Sequence, residues 1–185
     1  MLRNTSTGYG WISILLHWLV ALVIIGLFAL GLWMTDLTYY DPWYREAPAI
    51  HKSVGILLFL AIVLRLAWRW CNPRPVPLSN HKPWERQLAH WTHVLLYALP
   101  LLVMVSGYLI STAEGRPVEV FGWFSVPATF SGYEQQEDIA GEIHEILAFI
   151  LIGLASVHAL AALKHHYIDR DRTLRRMLRS RNDMT

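Results

Sequence analysis

Asp138 to His166 reads DIAGEIHEILAFILIGLASVHALAALKHH. From Ile139 to Leu163 the run is about 25 residues, enough to cross a hydrocarbon core of about 30 Å as a helix. Two histidines, His144 and His158, interrupt it. They are fourteen positions apart, hence about 21 Å apart along a helix axis and only about 40° apart around it. Both therefore face the same neighbours, at opposite depths. An ionisable side chain in a membrane span is costly and turns toward the bundle interior, so a matched pair reads as a functional site.

The rest of the chain supplies a scaffold for that pair. Of 185 residues, 54% are hydrophobic and 16% charged, which excludes an ordinary soluble domain. The net charge of +2 means little by itself, because in a membrane protein what matters is how charge divides between loops, and no nucleic-acid partner is expected. The first apolar run begins near Trp11, passes 20 residues and lacks a small-residue cleavage site, so it is expected to be a retained span and not a cleaved signal. A single cysteine, Cys71, permits no internal disulfide, and no C-x-x-C-H is present for covalent haem attachment.

Four helices are expected, at about 11–34, 49–70, 88–111 and 139–163, in one domain spanning residues 1–185 with a basic tail from 164 to 185. The connection after the first helix is rich in Tyr and Trp, as suits a headgroup interface. Cys71 to Gln87 holds too many prolines to continue a helix and reads as an ordered surface loop. Pro100 is expected to kink the third helix. The long connection from Thr112 to Asp138 is expected to fold over one end as a partial lid. In the tail, Ile168, Leu174, Met177 and Leu178 are expected to rest on the membrane surface beneath the arginines. The fold class is thus an all-α membrane protein, a bundle of four transmembrane helices.

Lysine and arginine set its orientation. One side carries Arg3, Arg65, Arg69, Arg74, Lys82, Arg86, Lys164, Arg170, Arg172, Arg175, Arg176, Arg179 and Arg181; the other has Arg45, Lys52 and Arg116. This split puts both termini in the cytoplasm. His17 and His158 then lie at matching depth near the inner surface, and His51 and His144 near the outer.

A low-spin haem needs two ligands supplied across its iron by facing helices. The pairs His51 with His144 and His17 with His158 meet that requirement at two depths. His93 lies at the same inner depth and stays open as a rival to His17, with His90 a weaker one. Both could instead bond a propionate or face the interface. His81, His165 and His166 sit in polar context and are expected to be solvated.

The stretches LLHWLVALVIIGLFALGLWM, HKSVGILLFLAIVLRLAWR, AHWTHVLLYALPLLVMVSGYLIS and GEIHEILA resemble the bacterial cytochrome b-561 family, closest to its homologue sub-branch. The closing H-A-x-x-A-L-x-H-H-Y and D-x-T-L-x-R-M are its most specific residues. The resemblance implies a multi-pass inner-membrane cytochrome with two haem b groups, held by His17, His51, His144 and His158, and disfavours His90 and His93. It further implies electron exchange with quinone, and a concrete reaction as superoxide:ubiquinone oxidoreductase. Lys52 and Arg116 are candidates to attract a small anion or to pair with a propionate, Arg65 to meet a propionate, and Arg69 a lipid headgroup. Expected partners are membrane lipid, quinone, a periplasmic redox protein and a second copy of the chain. The alternatives are a cytochrome b subunit fed by such a periplasmic partner, a haem-free small transporter whose histidines relay protons, and a structural anchor.

Overall fold

The computed structural model describes residues 1–76 and 82–179; His81 and Arg181 lie outside them. Four long helices dominate: α1 (Trp11–Thr35), α2 (Glu46–Trp70), α3 (Pro83–Thr112) and α4 (Gln136–Tyr167). Each is long and apolar enough to cross a membrane, yet little of each is buried against protein, only 6% of the most apolar stretch of α4. Apolar surface left bare on this scale requires a lipid solvent. Every helix contains the run expected for it and extends beyond it.

The extensions have local causes. Pro83 opens α3, although it falls in the expected loop, because its fixed φ and missing N–H suit a first helical position. The Lys82 amide donates to Glu85 Oε2 at 2.9 Å, closing the helix start from within. Pro100 is accommodated inside α3 and fully buried. Before α1, Asn4 Oδ1 accepts from the Gly10 amide at 3.0 Å and the Ser13 hydroxyl at 2.7 Å, tying the N-terminal segment to the first turn of the helix.

The chain divides into two compact units. One comprises Met1–Ala21, Ala61–Leu96 and Gly153–Thr185; the other, Leu22–Leu60 and Tyr97–Ile152. In the first, the tail folds back onto the helices: Trp18 Nε1 donates to the Met177 carbonyl at 2.7 Å, and Arg176 to the Val76 carbonyl at 3.0 Å. Arg175–Met177 forms a short 3-10 turn. His165 and His166, expected in solvent, are instead half-buried. His165 Nδ1 meets Asp169 at 2.7 Å and Asp171 at 3.2 Å, while Lys164 bridges Asp169 and Glu85. The close of α4 gathers these charges because the chain doubles back there, with the Asp171 amide on the His165 carbonyl at 3.0 Å.

In the second unit the long connection carries an antiparallel hairpin, β1 (Val118–Val120) and β2 (Phe124–Val126). Val118 and Val120 are buried, and Ser53 on α2 fastens the turn: its Oγ donates to the Glu119 carbonyl and accepts from the Phe121 amide, both at 3.2 Å. The expected lid is thus a hairpin bonded to α2 two residues beyond His51. Phe121 is forced to φ 50°, with Gly122 at 70°, to turn the strands.

Candidate functional site

Each unit brings histidine rings of different helices together. In the second unit, His51 of α2 and His144 of α4 face each other with ring centres 6.2 Å apart. In the first, His17 of α1 and His158 of α4 are 6.3 Å apart. His93 of α3 also reaches His158, at 5.3 Å. His90 packs on Trp91.

The surroundings of the pairs differ. His144 Nδ1 lies 2.9 Å from the Val103 carbonyl and 3.2 Å from Ser106 Oγ. A carbonyl only accepts, so Nδ1 carries the proton and Nε2 keeps a free lone pair. Two glycines make room for the rings. A Cβ on Gly107 would stand 3.0 Å from His144 Cε1, and one on Gly31 3.4 Å from His51 Cε1. His51 Nδ1 is buried without a hydrogen-bond partner among the described residues. His17 Nδ1 receives a bond of 2.8 Å from Arg65, and Trp18 stands edge-on to the same ring at 5.3 Å.

Comparison with known proteins fixes the setting. Residues 8–180 match the family model described as prokaryotic cytochrome b561. The chain is 51% identical to "Cytochrome b561 homolog 2" of Escherichia coli K12 over 175 residues, covering 95% of this chain and 93% of that protein. It is 30% identical over 171 residues to the "Probable superoxide oxidase CybB" of Yersinia pestis, covering 92% and 95%. It is 29% identical over 179 residues to the "Cytochrome b562" of Cereibacter sphaeroides, covering 94% and 97%.

The chain belongs to the prokaryotic cytochrome b561 family. It is a multi-pass membrane protein of electron transfer, and the family implies haem b.

Whether the histidines suit haem b can be tested by distance. With about 2.0 Å from iron to each nitrogen and about 1.15 Å from a nitrogen to its ring centre, two imidazoles on one iron have centres about 6.3 Å apart. His51 with His144 and His17 with His158 fit that span; His93 with His158, at 5.3 Å, falls about 1 Å short of it. The unmatched His51 nitrogen fits as well, since a buried polar atom without a partner costs about 1–3 kcal/mol unless something beyond the polypeptide meets it.

The other sequence candidates scatter. Lys52 is exposed beside His51. Arg116 is exposed and paired with Glu114 at 3.4 Å. Arg65, the candidate for a propionate, lies 2.8 Å from His17 Nδ1. Sequence reasoning passed over Val103, Ser106, Gly107 and Gly31 entirely. Glycine within a helix costs about 1 kcal/mol relative to alanine, so the two glycines were the available signal.

Proposed function

We propose that this cytochrome b561 family member is a di-haem b electron carrier of the inner membrane that oxidises superoxide and reduces quinone. The axial ligands are His51 with His144 on the outer side and His17 with His158 on the inner, in one domain with both termini cytoplasmic. The observation that carries the reading is the pair of cross-helix separations, 6.2 and 6.3 Å, at the span two imidazoles need around one iron. Family membership sets aside the haem-free transporter and the structural anchor.

Haem, when bound, supplies a reversible one-electron couple. The chain's own residues do the rest. Val103 and Ser106 hold His144 in the tautomer that presents Nε2 inward. Lys52, one of three cations on the outer side, attracts a small anion toward His51. Arg116 is neutralised by Glu114 and contributes less. Arg65 donates to His17 as long as that nitrogen has a lone pair. Were His17 to hold haem through its other nitrogen, Nδ1 would keep the proton, and the Arg65 guanidinium would be left to pair with a carboxylate such as a propionate.

On the inner side an apolar groove of about 430 Å³, lined by Trp11, Ile14, Leu15, Trp18 and Leu178, opens beside His17 through Trp18. It is the place we assign to a quinone ring. The overall exchange balances as two superoxide, one quinone and two protons giving two dioxygen and one quinol. The "superoxide oxidase" name of the Yersinia pestis relative supports the donor.

The test is quinol formation by protein in nanodiscs supplied with ubiquinone and a superoxide-generating system. Superoxide-dependent quinol formation, abolished in His51→Ala, is expected. Haem-replete protein that forms no quinol above the protein-free rate would overturn the reaction.

A further inference from the structure

The His93 ring stands at the inner pair yet serves no ligand role in the account so far. Its Nδ1 lies 2.6 Å from the Ala89 carbonyl one turn back on α3. The carbonyl only accepts, so Nδ1 carries the proton, and in the neutral ring Nε2 is left as an acceptor. The ring stands 5.3 Å from that of His158, at an interplanar angle of 75°.

This separation has its own meaning. Two imidazoles joined by an N–H···N bond of about 3.0 Å have centres about 5.3 Å apart, by the same ring radius used above. His158 thus stands at two different distances from its two histidine neighbours. One matches an intervening iron; the other is the span a direct N–H···N bond would have, although the two rings here stand edge-on with no hydrogen bond between them.

The need for that bond arises on loading. A neutral imidazole bound to iron through one nitrogen must hold its proton on the other, and a buried donor then requires an acceptor. On the outer side the Val103 carbonyl meets this need for His144. On the inner side Arg65 stands by the His17 ring and can only donate.

We propose that His93 is the positioning residue of the inner site: its Nε2 accepts the N–H of His158 and so fixes the orientation and basicity of that ligand. The proposal rests on His158 being an axial ligand. An acceptor on the outer nitrogen strengthens the imidazole as a donor to ferric iron, which lowers the potential of the haem it holds.

The experiment is potentiometric titration with low-temperature electron paramagnetic resonance of the haem-loaded full chain and of H93F, H93L and H93Q. Phenylalanine keeps a ring but accepts nothing. Leucine tests the same loss at smaller volume should H93F not accumulate. Glutamine restores a carbonyl acceptor. The expected result is two haems per chain throughout, with one midpoint potential raised and one low-spin ferric signal shifted in H93F and H93L, and both returned toward wild type in H93Q. Wild-type potentials and signals in all variants would reduce His93 to packing and overturn the proposal. Loss of one haem in H93F and H93L, with His17→Leu keeping both, would make His93 the ligand itself and also overturn it. A haem content indifferent to His158→Ala would instead sink the reading beneath.

Discussion

His144 Nδ1 is held 2.9 Å from the Val103 carbonyl oxygen on the neighbouring helix. The backbone of α3 thereby dictates which nitrogen of an α4 side chain is free. Ser106 and Gly107 complete one turn of α3 around the same ring, so the site depends on helix packing as much as on the histidine.

Gly107 provides a sharp test of that packing. An alanine Cβ there would come 3.0 Å from His144 Cε1 and 3.2 Å from Nδ1, so the ring must move. We expect Gly107→Ala to cost about 1–3 kcal/mol of local fit, read as about 5- to 150-fold weaker retention of one haem. Gly31→Ala, whose Cβ would stand 3.4 Å from His51, is expected to retain both haems. Equal behaviour of the two variants in haem-transfer assays would contradict this account of the glycines.

Ser53 makes two hydrogen bonds to the hairpin turn. Ser53→Ala should destabilise the lid by about 1–2 kcal/mol. Hydrogen exchange at Phe121 and Trp123 should rise about tenfold, with the helices unaffected. Unchanged exchange would mean that Val118 and Val120 hold the hairpin without help from Ser53.

How much of this was legible beforehand follows from the kind of physics involved. Long apolar runs announce spans because a bilayer imposes their length, and depth in a helix follows from counting residues. The fourteen-residue spacing of His144 and His158 therefore aligned them on paper. Counting could not separate His17 from His93, since both lie about five residues inside a helix end. The family resemblance favours His17, and the separations from His158, 6.3 Å for His17 and 5.3 Å for His93, are the structural difference between the two. Nor could it find the Val103 carbonyl, because a backbone acceptor leaves no trace in residue type. Pro83 shows the opposite error. Proline was read as a helix breaker where its position made it a helix start.

Lys52 is the cation whose effect should be kinetic. Lys52→Glu is expected to slow reduction by superoxide about threefold to tenfold at low salt, with the difference shrinking as salt rises. Stopped-flow absorbance at about 20 mM and about 500 mM salt, between which the screening length falls about fivefold, measures it. An unchanged low-salt rate would remove Lys52 from the path of the anion.

Arg65 is expected to leave His17 for a carboxylate when the inner site is loaded. Arg65→Leu should therefore weaken retention of one haem by about 10- to 100-fold, the worth of a charge-assisted bond of about 1.5–3 kcal/mol. Haem transfer to an excess of apomyoglobin reports it. Identical transfer rates in wild type and variant would leave the arginine with the histidine alone.

The most direct measurement is a reduced-minus-oxidised visible spectrum with a pyridine haemochrome count on wild type, His51→Ala and His158→Ala. The account predicts about two haems b per chain in the wild type, as the two ligand pairs require, and about one in each variant. Haem content unchanged by either substitution, or absent from folded wild-type protein, would contradict it.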